Sequence, residues 1–416
     1  MPPFPCIFAA KSLLNLSSIQ HTPVCIVGAG PAGITAALHL QKAGVECVLV
    51  DRQTLPQDKF RGEVFDGRVL HALRRLDPGY LDELEAMGMF VKNRGAEFVR
   101  SSGAHFTVRF PDSMPPRLLA LRTEFDAFLR AKVQNQPGIT LLEGVEIASL
   151  DFQPNGVMLT SSSGDVRLRA QLLVDASGCL SRLSGALQRD EQRYGRDHLW
   201  VSQCLEGVAL KSPTDLLLHP LPRHKTVLMV SPLPGNRVGI GLGIRHRDLQ
   251  RLGLNPMVLL EEAFVSLLQH HPELGQGSAL QKAKGTVIRL STRRHQLAGE
   301  RYLLAGAADY SLNPVSGFGV GHAMTAGELA AKQAMAAVQA QDYSHRHLQG
   351  YQLQVYRALR TELWLSQLIT GLLDRPRWFV PMVFRLGTLF RRVLTTPDFT
   401  RQFLKPSFYW RMLFTK

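Results

Sequence analysis

Val24-Cys25-Ile26-Val27-Gly28-Ala29-Gly30-Pro31-Ala32-Gly33 is the stretch on which the fold turns. Its four leading apolar residues read as a strand buried on both faces, as in a parallel sheet. The next six read G-x-G-x-x-G, with glycines at Gly28, Gly30 and Gly33. Ile34 to Ala43 is rich in Ala and Leu and predicts a helix, stopped by Gly44. Pro31 suits a first helical position, where the missing N–H has no intrahelical partner to lose. Val45 to Val50 predicts a second strand ending in Asp51, 23 residues beyond Gly28. A lone G-x-G-x-x-G says little. Here strand, helix, second strand and acid all stand in place, and together they predict a dinucleotide site. Gly28 allows the tight turn, Gly30 admits a diphosphate against backbone, and Gly33 lets helix and strand pack closely. The helix N-terminus, with Pro31 and Ala32, faces the phosphates, and Asp51 accepts from a ribose hydroxyl.

Upstream, residues 1–22 carry one clear charge, Lys11, and read as a loose extension rather than a secretory signal. The whole chain has 416 residues, 45% of them hydrophobic, enough for two domains. No run approaches the roughly 18 apolar residues of a membrane span. The five cysteines, Cys6, Cys25, Cys47, Cys179 and Cys204, are scattered without a C-x-x-C pair, so no zinc or iron–sulfur site is expected. That usage suits a reducing compartment, and a cytoplasmic protein is expected.

Downstream of Asp51-Arg52 comes Lys59-Phe60-Arg61-Gly62-Glu63, then helical patterns at 67–76 and 80–87. Residues 94–110 alternate like a hairpin around Ser101-Ser102-Gly103. Leu118 to Val133 reads as one amphipathic helix carrying Arg122. Ile139–Leu142, Val157–Thr160 and Val166–Leu168 read as strands. Val174-Asp175-Ala176-Ser177-Gly178 closes a further strand, Gln171 onward, with an acid at its carboxyl end. That is where α/β sheets bind ligands, although an Asp there also serves as a simple strand cap.

From 193 to 294 the texture becomes that of a mostly antiparallel sheet, with strands at 200–210, 226–231, 237–244 and 286–290 and a helix near 256–270. Then Tyr302 to Asp309 returns to the strand-then-small-residue style. Asn313 to Gly321 is glycine-rich and leads into a helix, His322 to Gln339. A nicotinamide dehydrogenase has no need of a second glycine-rich helix terminus. A flavin, diphosphate at one end and an electron-accepting ring at the other, uses both.

Taken in order, three of these segments resemble the FAD-dependent oxidoreductases of the aromatic-hydroxylase type, including their geranylgeranyl-reductase-like branch. They are Gly28–Gly33 with Asp51-Arg52, the "D-G"-like Asp175 to Gly178, and the "G-D"-like Leu304 to Gly321; Lys59 to Glu63 is similar to a K-x-x-G-E segment. The resemblance covers most of residues 22–355. It implies a Rossmann-type α/β FAD domain interrupted by a mostly antiparallel β-sheet substrate domain, plus a C-terminal helical segment. The implied parts are an FAD-binding domain from 23–93, 118–192 and 295–355, and a substrate domain from 94–117 and 193–294. A basic aromatic segment, 356–416, follows. Gly28, Gly30, Gly33, Asp51 and Arg52 would hold the ADP half of the cofactor. Arg61, Gly62 and Glu63 would adjoin it. Arg122 would reach the phosphates and Val145 would touch adenine through its backbone. Asp175 and Gly178 would lie near the phosphate or nicotinamide approach. Gly306, Pro314, Gly317, Gly319 and Val320 would line the ribityl chain and ring.

The sequence departs from that pattern in places. Ala307 stands where the third motif has its Asp, so Asp309 is the candidate replacement. Arg61 stands where many relatives carry Cys. The prenyl reductases' aromatic Y-x-W-x-F-P stretch is replaced by Val227-Leu228-Met229-Val230-Ser231-Pro232, although Gly241-Leu242-Gly243 follows. The halogenase W-x-W-x-x-P is absent, and Trp200, Trp364, Trp378 and Trp410 stand isolated.

The expected activity is that of an FAD monooxygenase, hydroxylating or epoxidising a lipophilic or aromatic small molecule with O₂. NAD(P)H, or a partner reductase, would supply electrons. The alternatives are a prenyl-double-bond reductase, a halogenase, and a non-catalytic flavin- or lipid-binding protein. From Arg357 to Lys416 the chain holds 11 Lys and Arg against 3 acids, a net +8 of the total +14. Interleaved aromatics there read either as peripheral membrane contact or as helices capping the substrate domain. No nucleic-acid motif accompanies the charge.

Overall fold

A computed structural model describes residues 19–54, 59, 61–110, 112, 116–178, 183, 197–289, 296–309 and 319–373, with backbone alone at 197, 289, 308–309 and 360–373. Elements are numbered in chain order.

The first sheet is centred on β1 (Gln20–Val27), flanked by β2 (Cys47–Asp51) and β11 (Arg167–Asp175). Beyond them lie β8 (Ile139–Glu143) on one side and β19 (Tyr302–Leu304) on the other, all five parallel. β18 (Ala298–Gly299), β9 (Ile147–Gln153) and β10 (Gly156–Ser161) add antiparallel edges. Alternation explains why β1 is apolar throughout. Val24 and Ile26 face a core shared with α1 (Pro31–Lys42) and α7 (Val320–Ala340). Cys25 and Val27 face the opposite core, with Val157 and Leu159 of β10. Both faces are covered, so no polar position is available. α8 (His345–Leu373) packs on α7, and its buried Tyr351 hydroxyl donates to the Leu304 carbonyl at 2.6 Å, pinning the end of β19.

The second sheet runs β16 (Ser278–Ala279), β12 (Asp197–Glu206), β15 (Arg237–Arg245), β14 (Thr226–Leu233), β13 (Asp215–Leu221), β5 (Gly95–Val99), β6 (His105–Arg109), with β17 (Lys284–Arg289) also on β12. It is antiparallel except for the parallel pair β5–β13. α5 (His246–Leu252) and α6 (Pro256–Leu268) close one face over Val201, Leu228, Val230, Ile240 and Leu242. A small third sheet, β3 (Gly62–Phe65), β7 (Arg117–Leu121) and β4 (Val91–Asn93), lies against the other face. α2 (Gly67–Leu76), α3 (Tyr80–Ala86) and α4 (Arg122–Val133) complete the first half.

Four readings need correction. The single helix expected over 118–133 is a strand, Arg117–Leu121, followed by a helix starting at Arg122. Leu118 to Leu121 are all buried between β3 and β4, and pairing on both edges outweighs their helix propensity. The two strands expected around 166–174 are one, Arg167–Asp175. The strands at 147–153 and 215–221 were not anticipated. The first is largely exposed and gives a weak apolar signal, and the second contains Pro220, which argues against a strand. The strand expected to run to Leu210 ends at Glu206.

Among the described residues no helix is long and apolar enough to cross a membrane. Residues 374–416, the bulk of the basic aromatic segment, lie outside the described residues, as do Pro314 and Gly317.

Candidate cofactor and substrate site

The glycine loop is built by close packing of backbone. Gly28 has φ +106°, and a Cβ there would lie 2.3 Å from the Ala176 carbonyl oxygen. A Cβ on Gly33 would lie 1.9 Å from the Gly28 oxygen. These two glycines are structural necessities. Gly30 differs: a Cβ there meets nothing within 4 Å. Open space therefore stands in front of Gly30, where it caps α1, and no side chain caps that helix terminus. Pro31, Ala32 and Gly33 are buried behind it. A helix N-terminus with room in front and no internal cap fits an anionic diphosphate.

Asp51, 6% exposed, accepts from the Ala29 N–H at 2.7 Å and from the Gln53 N–H at 2.8 Å. Its carboxylate thus sets the loop, at the strand end where a dinucleotide-binding fold places its ribose-binding acid. Arg52 is exposed beside it. The Val145 N–H donates to the Asp51 carbonyl at 3.0 Å, so a contact from Val145 backbone to a base would come from its carbonyl.

The second and third segments close on the first. Asp175 is fully buried, and one of its carboxylate oxygens accepts from both the N–H and the hydroxyl of Ser177. It shapes the turn that carries Ala176 against Gly28, and Gly178 follows at φ +92°. Gly306, at φ +69°, sits where a Cβ would meet the Ala32 side chain at 2.8 Å. Gly327 of α7 touches the Ala32 carbonyl, where a Cβ would fall 2.2 Å away. The chain follows Gly306 with a short 3-10 turn to Asp309, then returns at Gly319, which caps α7, and Val320, its first residue. Two helix N-termini, α1 and α7, are thereby brought to one end of the first sheet.

Charge concentrates beside this loop. Arg122 is 7% exposed, and its guanidinium donates to Asp126 (2.7 Å) and Glu63 (3.2 Å). Glu63 also accepts from Arg61 at 3.1 Å, and Asp126 from Lys59 at 3.3 Å. Burial works against the Arg122 charge, but Asp126 and Glu63 outweigh it and raise its pKa above the ordinary value. For Asp126 burial is likewise outweighed, by Arg122 and Lys59, which hold its carboxyl below the usual range. Burial and then Arg122 push the Lys59 ammonium down to about 8, against the pull of Asp126. Three cations face two acids, leaving the cluster one positive charge in excess.

This cluster also marks where the two halves meet. A Cβ on Gly62 would lie 3.1 Å from the Ser231 Cβ, and one on Gly239 would lie 2.6 Å from the Gly62 nitrogen. Backbone touches backbone between β3 and β15. Arg237 of β15 bridges to Glu124 of α4 at 2.6 Å, and Leu121 packs on Cys204 and Leu233. The face of the second sheet opposite α5 and α6 is therefore the one turned toward Gly62 and Glu63. Phe98 and Phe106 stack on it, ring centres 4.6 Å apart, and Met229 lies on the same face by register. Trp200 is there too, its indole over Gly241 and Gly243. Sequence reading passed over Trp200 as isolated. An aromatic facing alternate glycines on the neighbouring antiparallel strand is the signal that finds it.

Together these features define a Rossmann-type protein that holds a flavin dinucleotide and presents a second sheet to it. Residues 21–353 match the family described as FAD binding domain, and the chain belongs to that family. It is an FAD-dependent oxidoreductase. A 1H-pyrrole-2-carbonyl-[peptidyl-carrier protein] chlorinase of Pseudomonas fluorescens is 22% identical over 92% of this chain and 88% of its own. A geranylgeranyl bacteriochlorophyll reductase-like protein of Thermoplasma acidophilum superposes with TM-score 0.74 at 16% identity, covering 95% of this chain and 96% of that one. A probable FAD-dependent monooxygenase of Pseudomonas aeruginosa, PqsL, superposes with TM-score 0.66 at 16% identity, over 87% of this chain and 99% of that one.

Proposed function

We propose that the chain is an FAD-dependent monooxygenase acting on a lipophilic or aromatic small molecule, with NAD(P)H or a partner reductase as electron donor. The observation that carries this reading is the aromatic and apolar face of the second sheet, turned toward the cofactor half at Gly62. Oxygen transfer by a flavin needs a dry site, and an apolar, aromatic face is the kind of wall such a site requires. The net reaction consumes substrate, O₂, NAD(P)H and a proton, and yields hydroxylated substrate, water and NAD(P)⁺. When bound, FAD supplies the electron transfer and the reaction with oxygen.

The residues of this chain bind, orient and exclude water. The space before Gly30 and the N-terminus of α1 take the diphosphate. Asp51 takes the ribose, with Arg52 beside it. Gly306, Gly319 and Val320 would line the ribityl chain and ring, and Gly178 the phosphate or nicotinamide approach; Pro314 and Gly317, also expected at the ring, lie outside the described residues, and Asp309 remains the candidate for the acid missing at Ala307. The excess positive charge of Lys59, Arg61 and Arg122 favours the phosphates. The reducing compartment implied by buried, free Cys25, Cys47 and Cys204 suits a cytoplasmic enzyme.

A reduction of prenyl double bonds is the second reading, favoured by the likeness to the geranylgeranyl reductase-like protein. Chemically reduced, FAD-loaded enzyme mixed with oxygen in a stopped-flow instrument separates the two. We expect a transient spectrum distinct from reduced and oxidised flavin when a phenol or alkylated aromatic is present. Smooth reoxidation across such a panel, with anaerobic saturation of a prenyl substrate, would establish the reductase. The cofactor itself is tested by Gly30→Val. Its side chain fills the space before α1, so FAD uptake should vanish while the melting temperature of the FAD-free protein stays within a few degrees of the parent's.

A further inference from the structure

We infer that Trp200 is the floor on which the substrate lies, and that the substrate is therefore a flat aromatic ring rather than an isoprenoid chain. The inference rests on the reading of the second sheet as the substrate face of an FAD enzyme, and extends it to one side chain and one ligand shape.

Trp200 lies on β12, in register with Gly243 of β15, with Ser202 opposite Gly241. A Cβ on Gly241 would fall 2.7 Å from Cζ2 of the indole and 3.1 Å from its Nε1. One on Gly243 would fall 3.0 Å from Cε3. Both edges of the ring system are thus in contact with backbone, and the indole lies flat along β15 in a slot that only glycines leave. Glycine is poorly suited to strand interiors, so three at alternate positions call for an explanation. The first, Gly239, is occupied by the backbone of Gly62. The other two are occupied by the indole. Two residues of strand span about 7 Å, so the ring begins within roughly that distance of the point where the cofactor half touches the sheet.

The rest of the sheet explains why this ring is left for a ligand. The far face is closed by α5 and α6. On the near face the small sheet covers Ala96 and Leu216 with Val64 and Leu119, and covers Cys204 and Leu233 with Leu121. Trp200 lies past that cover and is only partly buried, although β12 is an interior strand. Among the described residues its Nε1–H has no acceptor. A flush indole offers a planar apolar surface plus one donor at its rim. That matches a planar aromatic ring bearing a hydroxyl or carbonyl oxygen.

Stacking of this kind is worth about a tenfold difference in affinity at its upper end. The test uses the full-length, FAD-loaded protein, its flavin content read first from the visible spectrum. The probes are 2-naphthol, flat and hydroxylated, and geraniol, an isoprenoid. Binding is followed by perturbation of the flavin band and by indole emission. Trp200→Ala should weaken 2-naphthol about tenfold, Trp200→Phe less than threefold, and geraniol should change less than twofold in both. Gly243→Ala, which keeps the tryptophan but lifts it from its slot, should weaken 2-naphthol as well. A purely structural tryptophan would lower the melting temperature of Trp200→Ala while leaving 2-naphthol affinity within twofold; that result overturns the inference. So does an equal loss for geraniol, or a flavin-loaded parent that binds neither probe. A protein that takes up no FAD is seen before any probe is added, and it is then the FAD reading that fails.

Discussion

The glycine loop and the second sheet use the same residue to opposite ends. At Gly28 and Gly33 the missing side chain lets backbone pack on backbone, and what results is a fixed concavity for a ligand that never varies. At Gly241 and Gly243 the missing side chains make room for another side chain, Trp200, and what results is a surface whose shape depends on that one residue. On the proposed reading, the cofactor end is a backbone device and the substrate end a side-chain device. A substitution at the first should remove FAD or the fold, and a substitution at the second should change what is bound.

The strongest challenge to this contrast is Arg122, a side chain inside the backbone-built half. Arg122→Met leaves buried Asp126 with Lys59 alone and partly buried Glu63 with Arg61 alone, and should cost about 3–4 kcal/mol in a denaturant melt. A loss below 1 kcal/mol would show that the cluster is dispensable and that backbone alone holds this end. Gly33→Ala comes next. Its Cβ would meet the Gly28 carbonyl, an obstacle that cannot rotate away, and about 3 kcal/mol should be lost. Gly30→Ala, one turn of the same loop away, should leave the melt of the FAD-free protein unchanged; if both variants unfold alike, the distinction between packed and open glycines is wrong. Gly239→Ala should cost about 2 kcal/mol by driving β15 off Gly62, while FAD is still taken up. Loss of flavin in that variant would mean the two ends are not separable.

The smallest expected effect concerns pH. His219 is fully buried on β13, with Nδ1 2.8 Å from the Val99 carbonyl. Burial lowers its pKa below the ordinary 6.5, the Val99 bond opposes this, and His270 and His271 add to the lowering. The folded state therefore resists a proton that the unfolded state accepts. Stability from this source is complete above about pH 6.5 and is lost as pH falls below it toward the folded pKa. His219→Gln should flatten the melting-temperature profile between pH 7 and 5 by a few degrees relative to the parent. An identical slope in the variant would assign the acid sensitivity elsewhere.

The same contrast explains what could be read in the sequence. The cofactor end is local: β1, the loop, α1, β2 and Asp51 follow one another within 32 residues, from Gln20 to Asp51, and each carries its own signal. The second sheet is assembled from segments far apart. Gly95 pairs with Asp215 across 120 residues, and neither announces the other. The glycines of β15 were visible but their meaning was not, because it depends on Trp200 lying opposite, a fact of register. The helix misread over 118–121 failed for the same reason. Leu118-Leu119-Ala120-Leu121 favours a helix on its own, and only the flanking strands Gly62–Phe65 and Val91–Asn93 make it a strand. Arg122 was singled out from the resemblance, but its pairing with Asp126, four positions on, and with Glu63, 59 positions back, emerged only in three dimensions.

The contact between Gly62 and Gly239 carries a lesson for anyone recombining such enzymes. With no side chain on either partner, the seam has no slack to absorb a mismatched neighbour. A chimera that exchanged the second sheet alone would import a foreign residue opposite Gly62 and would be expected to misassemble. Moving residues 61–65 together with 226–245 keeps the Gly62–Gly239 contact, while the Arg237–Glu124 bridge and the packing of Leu121 on Leu233 still cross the cut. The natural crossover points for shuffling this scaffold therefore fall outside both stretches, and a library built on the visible domain boundary would be cut through its hinge pin.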